Sequence, residues 1–226
     1  MNVLIIAPHA DDEVIGCGGT ISKLSDEGND VYLCIVTNGC PPIFDNTEAK
    51  KNNWPHNNYI ETTNSNRILG IKETFYLDYP AAMLETVPRY ELNGRLIEII
   101  KKIRPLEIYI PHFGDMQKDH QIVAEACMVA VRPKYSFAPK RVYAYETLSE
   151  TGWNTPSISN EFIPNCFVDI SRYLQNKKDA MQCYSSQLGD FPDARSLQAI
   201  DSLAKYRGAS MNMDAAEAFM VIRDIR

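Results

Sequence analysis

The chain has 226 residues, 45% of them apolar and 23% charged, which suits one large buried core and excludes a disordered or fibrous protein. The net charge of -6 and the absence of any Lys/Arg cluster argue against phosphate-backbone binding, and so against a nucleic-acid partner. No apolar run reaches bilayer-spanning length, no cleavable leader pattern opens the chain, and the six cysteines form no CxxC pair; the expectation is a reduced, soluble, cytoplasmic protein with no membrane partner.

Residues 2–8 (NVLIIAP) form a short apolar run rich in β-branched residues, the pattern of a strand buried on both faces. After a loop, Gly16-Cys17-Gly18-Gly19 leads into a helical stretch that Gly28 closes as a C-cap. Residues 31–39 read as a second buried strand, so the opening is a right-handed βαβ unit and implies a parallel sheet. Residues 40–57 are polar and irregular, a length at which loops are commonly functional or mobile. A helix is predicted over 59–69, a strand over 74–78, a helix over 89–103 closed by Pro105, and a buried strand over 107–111. The polar loop 112–118 then leads to a helix over 121–131. Beyond it, strands are predicted at 141–148, 166–170 and 216–223, and helices at 171–187 and 195–207. With no repeat or linker, residues 1–226 read as one α/β domain: a Rossmann-like, mostly parallel sheet with helices on both faces, mixed toward the C-terminal half.

In open α/β sheets ligands bind beyond the carboxyl ends of the strands. Two loops in that position are rich in metal-ligand types: Pro8-His9-Ala10-Asp11-Asp12-Glu13 after the first strand, and Asp115 to His120 after the strand at 107–111. A catalytic zinc takes three protein ligands and leaves a position for water. His9 and Asp12, three apart in a turn, can reach one point, and His120 can close the triangle. Asp11 is then free to face the water as general base. The bland readings are an acidic first helical turn at Asp11–Glu13, Asp119 as a helix N-cap, and His120 as a partly buried first-turn residue.

PHADDE before a glycine-rich helix start, with a later D-x-x-x-DH, resembles the LmbE-like or PIG-L-type zinc-dependent N-deacetylases. The resemblance continues through Leu69-Gly70, YETLSETGW (145–153), Phe162 to Asn165, Val168-Asp169-Ile170 and AEAF (216–219), almost the whole chain. It implies a Rossmann-like fold and metal ligands at His9, Asp12 and His120. It also implies a general base at Asp11 and removal of an acyl group from N-acetylglucosamine-type small molecules. Several members of that family are oligomeric, so a homo-oligomer is an expectation as well. A His–His–Asp set suits zinc, and the same ligand types also hold ferrous iron.

The sequence departs from the family at two places. Where the second family motif, H-x-D-H, begins with His, this chain has Gln117, which can donate a hydrogen bond to an oxyanion but cannot protonate a leaving amine. Asp119, which in the family orients that His, thereby loses its usual partner. His112, at the end of the same strand, is a candidate replacement, against the alternative of a solvent-facing loop histidine. Where many members carry a substrate-holding Arg three residues before the position of Glu61, this chain has Asn58; neither Arg67 nor Arg89 takes that role on spacing, and the substrate contacts are left open. His56 reads as surface.

Two rival readings follow. A dinucleotide site at the glycines is disfavoured, because three carboxylates in that loop would repel a pyrophosphate; the glycines read instead as places of close helix–strand packing. A metal-containing carbohydrate-binding protein with weakened catalysis is the second rival, motivated by Gln117.

Overall fold

The computed structural model describes residues 1–40 and 54–226. Its strands are β1 (Asn2–Ala7), β2 (Asp30–Thr37), β3 (Glu73–Tyr79), β4 (Glu107–Pro111), β5 (Arg141–Tyr145), β6 (Cys166–Asp169) and β7 (Ala216–Asp224). They form one sheet in the order β3-β2-β1-β4-β5-β7-β6. The first five are parallel, and β7 runs antiparallel between β5 and β6. The helices are α1 (Asp12–Asp26), α2 (Trp54–Leu69), α3 (Arg89–Ile103), α4 (Lys118–Ala130), α5 (Leu174–Gln182) and α6 (Leu197–Ala209).

The alternation of β1 divides two cores. Val3, Ile5 and Ala7 pack with residues of α1, α5 and α6, while Leu4 and Ile6 pack with α3 and α4. The chain winds outward from β1 to β3, then returns across the sheet to β4. Right-handed crossovers in opposite directions put their helices on opposite faces. The reversal lies between β1 and β4, which are paired neighbours. The loops leaving their carboxyl ends therefore diverge and open a crevice.

The glycines of α1 serve packing, as expected. A Cβ on Gly16 would lie 2.2 Å from the Tyr145 ring, and one on Gly19 would lie 2.7 Å from Ile170. Close by, Lys177 Nζ donates to the Ile15 carbonyl and to Glu217, while the Gly19 and Thr20 amides donate to the Glu217 carboxylate. A buried ion pair is thus tied to the α1 backbone where the helix is pressed against the sheet.

Several predicted boundaries shift. The irregular segment expected over 40–57 lies mostly outside the described residues, as does the side chain of His56; its last residues already belong to α2, whose first turn tolerates Pro55 because an N–H there has no helical partner. The helix expected over 171–187 contracts to α5. It ends in tighter bonds, from Cys183 N to the Ala180 carbonyl and from Tyr184 N to that of Met181, and beyond it Glu61 accepts hydrogen bonds from Ser185 Oγ, Ser186 N and Ser186 Oγ. The strand expected to reach 148 stops at Tyr145, because the Thr147 amide donates to Thr151 Oγ1 and closes a turn. Helix α4 begins at Lys118 rather than 121, and its N-cap is Gln117, whose Oε1 accepts the Asp119 amide hydrogen at 3.0 Å. Asp119 is therefore not the cap. Among the described residues no helix is long and apolar enough to cross a membrane.

Candidate active site

The β1–α1 turn aims its carboxylates by an unusual backbone. Asp11 takes φ 109°, a left-handed conformation for a residue with a Cβ, which costs on the order of 1–3 kcal/mol. Its carbonyl accepts the Val14 and Ile15 amides, so the backbone caps α1, while its carboxylate makes no capping bond. Glu13 supports the turn by accepting the Asp11 amide hydrogen at 3.2 Å, and is held in place by the Tyr184 hydroxyl at 2.6 Å. Asp12 and Glu13 do lie in the first turn of α1, as the acidic-turn reading has it, while the buried Asp11 carboxylate just before the helix receives Arg195 Nε at 3.0 Å.

His9, Asp12 and His120 converge: one ligand atom from each lies within 4.8 Å of the others. His9 Nδ1 and His120 Nε2 each lie 3.2 Å from Asp12 Oδ2. The far nitrogen of each ring meets a carboxylate, His9 Nε2 at 3.1 Å from Asp119 Oδ2 and His120 Nδ1 at 2.9 Å from Asp115 Oδ2. This is the outer-shell arrangement that fixes the tautomer of metal-ligating histidines. Asp12 Oδ1 and His120 Nε2 are buried without a hydrogen-bond partner. Orphaned polar atoms at a point where two imidazoles and a carboxylate meet fit a divalent cation. His120 is fully buried, not a partly exposed first-turn residue.

The electrostatics agree. Burial pulls the His9 pKa down, but hydrogen bonds to Asp119 and Asp12 outweigh it and raise it to about 9. Burial likewise opposes His120, which Asp12 and Asp115 raise to about 10. Against its own burial, Asp12 is held well below the usual carboxylate range by the two rings. With no cation, then, protons gather where a cation would sit. Asp11 behaves oppositely: burial and the Asp12 charge push it up to about 7, with Arg195 pulling the other way. Burial also pushes Glu13 up to about 8.

A cavity of about 260 Å³ opens on this cluster, lined by His9, Asp11, Asn58, Gln117, Gln187 and Arg195 among others. Gln117 Nε2 lies 3.1 Å from His9 Nε2, so the cap residue of α4 also faces the cavity. Asp119 has exchanged partners: it receives His9 and the Ala82 and Leu84 amides. His112 is fully buried, Nε2 at 3.0 Å from the Asn160 carbonyl and its ring against Phe162; it does not line the cavity, and the solvent-facing alternative fails as well.

Sequence reasoning missed Arg195, Gln187 and the His-orienting role of Asp115. Arg195 reaches Asp11 across 184 positions, from the loop before α6. No local spacing marks it. Asp115 opens the D-x-x-x-DH motif, but the spacing alone does not say that its carboxylate meets the His120 ring; the start of α4 brings the two together.

Residues 4–131 match the family described as PIG-L, GlcNAc-PI de-N-acetylase. The chain is 30% identical over 198 residues to the diacetylchitobiose deacetylase of Thermococcus kodakarensis, covering 84% of this chain and 70% of that protein. Its fold is similar to the conserved protein TT1542 from Thermus thermophilus, with a TM-score of 0.78, 24% identity, and 99% and 96% of the two chains covered. It is also similar to the N,N'-diacetylchitobiose deacetylase of Pyrococcus horikoshii, with a TM-score of 0.74, 24% identity, and 98% and 84% covered. By the match across more than half its length and by the identity to a deacetylase relative, the chain belongs to the PIG-L (LmbE-like) family.

Proposed function

We propose that this protein is a divalent-cation-dependent N-deacetylase of small amino-sugar substrates, with residues 1–226 acting as one domain. The observation that carries the reading is the facing pair His9 Nδ1 and His120 Nε2 about Asp12, each ring held from behind by a carboxylate. His9, Asp12 and His120 would hold the ion, zinc by the chemistry of the donor set and ferrous iron as the second candidate. Such an ion supplies Lewis acidity, lowering the proton affinity of a water and polarising the acyl oxygen.

The chain's own groups supply the rest. Asp11, buried and aimed into the cavity, takes a proton from the attacking water. Arg195 fixes the orientation of that carboxylate through Nε. Gln117 presents an amide N–H toward the cavity and can donate to the oxygen that becomes negative as water adds to the acyl carbon. His112 is engaged with the Asn160 carbonyl away from the cavity lining, so it does not serve the leaving amine. With its pKa raised to about 7, Asp11 is suited to return the proton to nitrogen as the C–N bond breaks, releasing acetate and the free amine.

The test is acetate release from a panel of N-acetyl amino-sugars by cation-loaded protein, with chelated protein and Asp11→Asn as controls. Turnover that survives both controls would refute the mechanism. Gln117 favours a second reading, a sugar-binding protein without turnover, and the panel separates the two. Acetate from no sugar, with one cation bound per chain, would leave only that one.

A further inference from the structure

The backbone of Asp11 is tied to a residue far from it in sequence. Asp11 sits immediately before α1 with φ 109° and ψ -28°, and an amide at that position has no partner within the helix. Glu13 Oε2 accepts its hydrogen at 3.2 Å. The Tyr184 hydroxyl donates to the other oxygen, Glu13 Oε1, at 2.6 Å. Tyr184 and Glu13 are fully buried and Asp11 is 1% exposed, so both bonds are shielded from water. One carboxylate is thus clamped between a phenol and the Asp11 amide, and neither bond involves His9, Asp12 or His120.

Tyr184 is itself fixed. Its amide donates to the Met181 carbonyl at the end of α5, and Glu61 of α2 holds the next two residues, at 2.9 Å from Ser185 Oγ and from Ser186 N. The same connection between α5 and α6 carries Arg195, whose Nε lies 3.0 Å from Asp11 Oδ2. One segment therefore reaches Asp11 twice, at the backbone amide through Glu13 and at the carboxylate through Arg195. A non-glycine residue at positive φ persists only where its surroundings over-determine it. Arg195 grips the tip of the side chain, whereas the strained angle lies in the backbone, which is where the Glu13 carboxylate acts.

We propose that Tyr184 is a positioning residue for the reaction: through Glu13 it holds the Asp11 backbone at positive φ, and so keeps the base aligned on the water it deprotonates. The role rests on the deacetylase reading given above, but the tie between Tyr184 and Asp11 is measured without turnover.

The experiment measures amide hydrogen exchange by NMR on cation-loaded wild type and Tyr184→Phe, together with cation affinity by calorimetry and acetate release from the best substrate of the N-acetyl amino-sugar panel. Removing the hydroxyl leaves Glu13 Oε1 without its donor. The Asp11 amide should then exchange about tenfold faster, while the Val14 and Ile15 amides, bonded to the Asp11 carbonyl, stay within about threefold of wild type. In the same variant kcat should fall about tenfold with KM and cation affinity within about twofold, since misplacing a catalytic group by an ångström costs up to about 10²-fold in rate. Wild-type exchange at Asp11 in Tyr184→Phe, or a wild-type kcat, would overturn the proposal while leaving deacetylation intact. So would KM and cation affinity worsening in step with kcat, the mark of a general loss of structure. Faster exchange at Asp11 with no acetate released by wild type from any sugar would overturn the role together with the deacetylase reading and leave only the tie. If Tyr184→Phe fails to fold, wild type decides: its Asp11 amide should exchange at least about tenfold more slowly than amides of exposed loops, and one that does not would end the proposal.

Discussion

Removing the guanidinium from Asp11 is the perturbation with the clearest sign. Arg195 Nε lies 3.0 Å from Asp11 Oδ2, and Asp11 is 1% exposed, so the pair is poorly screened. At an effective dielectric near 20, unit charges 4 Å apart interact by about 4 kcal/mol, and relaxation with water entry leaves a fraction of that. A loss of about 1.4 kcal/mol corresponds to one pKa unit. Asp11 already stands at about 7 because burial and Asp12 oppose its charge, and Arg195 is what pulls it down. Arg195→Met should therefore move it upward by about a unit or more. Near pH 7 the ionised fraction then falls from about a half to about a tenth, roughly a fivefold loss in kcat/KM, most of it recovered near pH 9. A bound cation lowers the acidic limb in both proteins, so the difference between them is the quantity to read. Rate profiles of acetate release from pH 5 to 10 provide the assay. An acidic limb at the same position in both proteins would show that Asp11 is not the base or that Arg195 does not act on it.

Four further outcomes are expected. In chelated protein His9 and His120 hold protons up to about 9 and about 10, so a cation must displace them; its affinity should weaken as pH falls from 9 to 6, and a flat competition titration would contradict the ligand set. These raised histidine pKa values stabilise the metal-free fold below the unfolded value near 6.5 and lose that contribution as pH rises through 9 to 10, with Asp11 and Glu13 acting in the same direction; its Tm should be higher at pH 6 than at pH 9. Asp115→Ala should reduce cation affinity about 10- to 100-fold without unfolding the protein, because His120 loses the partner on its far nitrogen; unchanged affinity by calorimetry would sink that role. Gly16→Ala should destabilise by about 1–3 kcal/mol or more, since its methyl would overlap a Tyr145 ring whose hydroxyl is tied to the Ile6 carbonyl; a wild-type melting curve would disprove the contact.

What was legible in the sequence was local. The unbroken apolar run of β1 marks a strand buried on both faces, and all of Val3 to Ala7 is buried in the structure. The three-residue separation of His9 and Asp12 places both in one turn, and the position of Asp115 to His120 after another buried strand brings the second loop to the same edge once β1 and β4 pair. Periodicity and spacing act over a few residues, and these features need nothing longer.

Tertiary structure decided everything that depends on which distant surfaces meet. The reach of Arg195 to Asp11, the transfer of Asp119 to His9, the burial of His112 against Asn160 and Phe162, and the hold of Tyr184 on Glu13 all join segments far apart in the chain. The serines just beyond α5 are likewise held at long range, by the Glu61 carboxylate that accepts from Ser185 and Ser186. A local pattern encodes which face of an element is apolar. Which carboxylate faces which cation is settled only when crossovers and packed helices fix all the elements together, and that is why the convergence of His9, Asp12 and His120 was readable in advance while the residues around it were not.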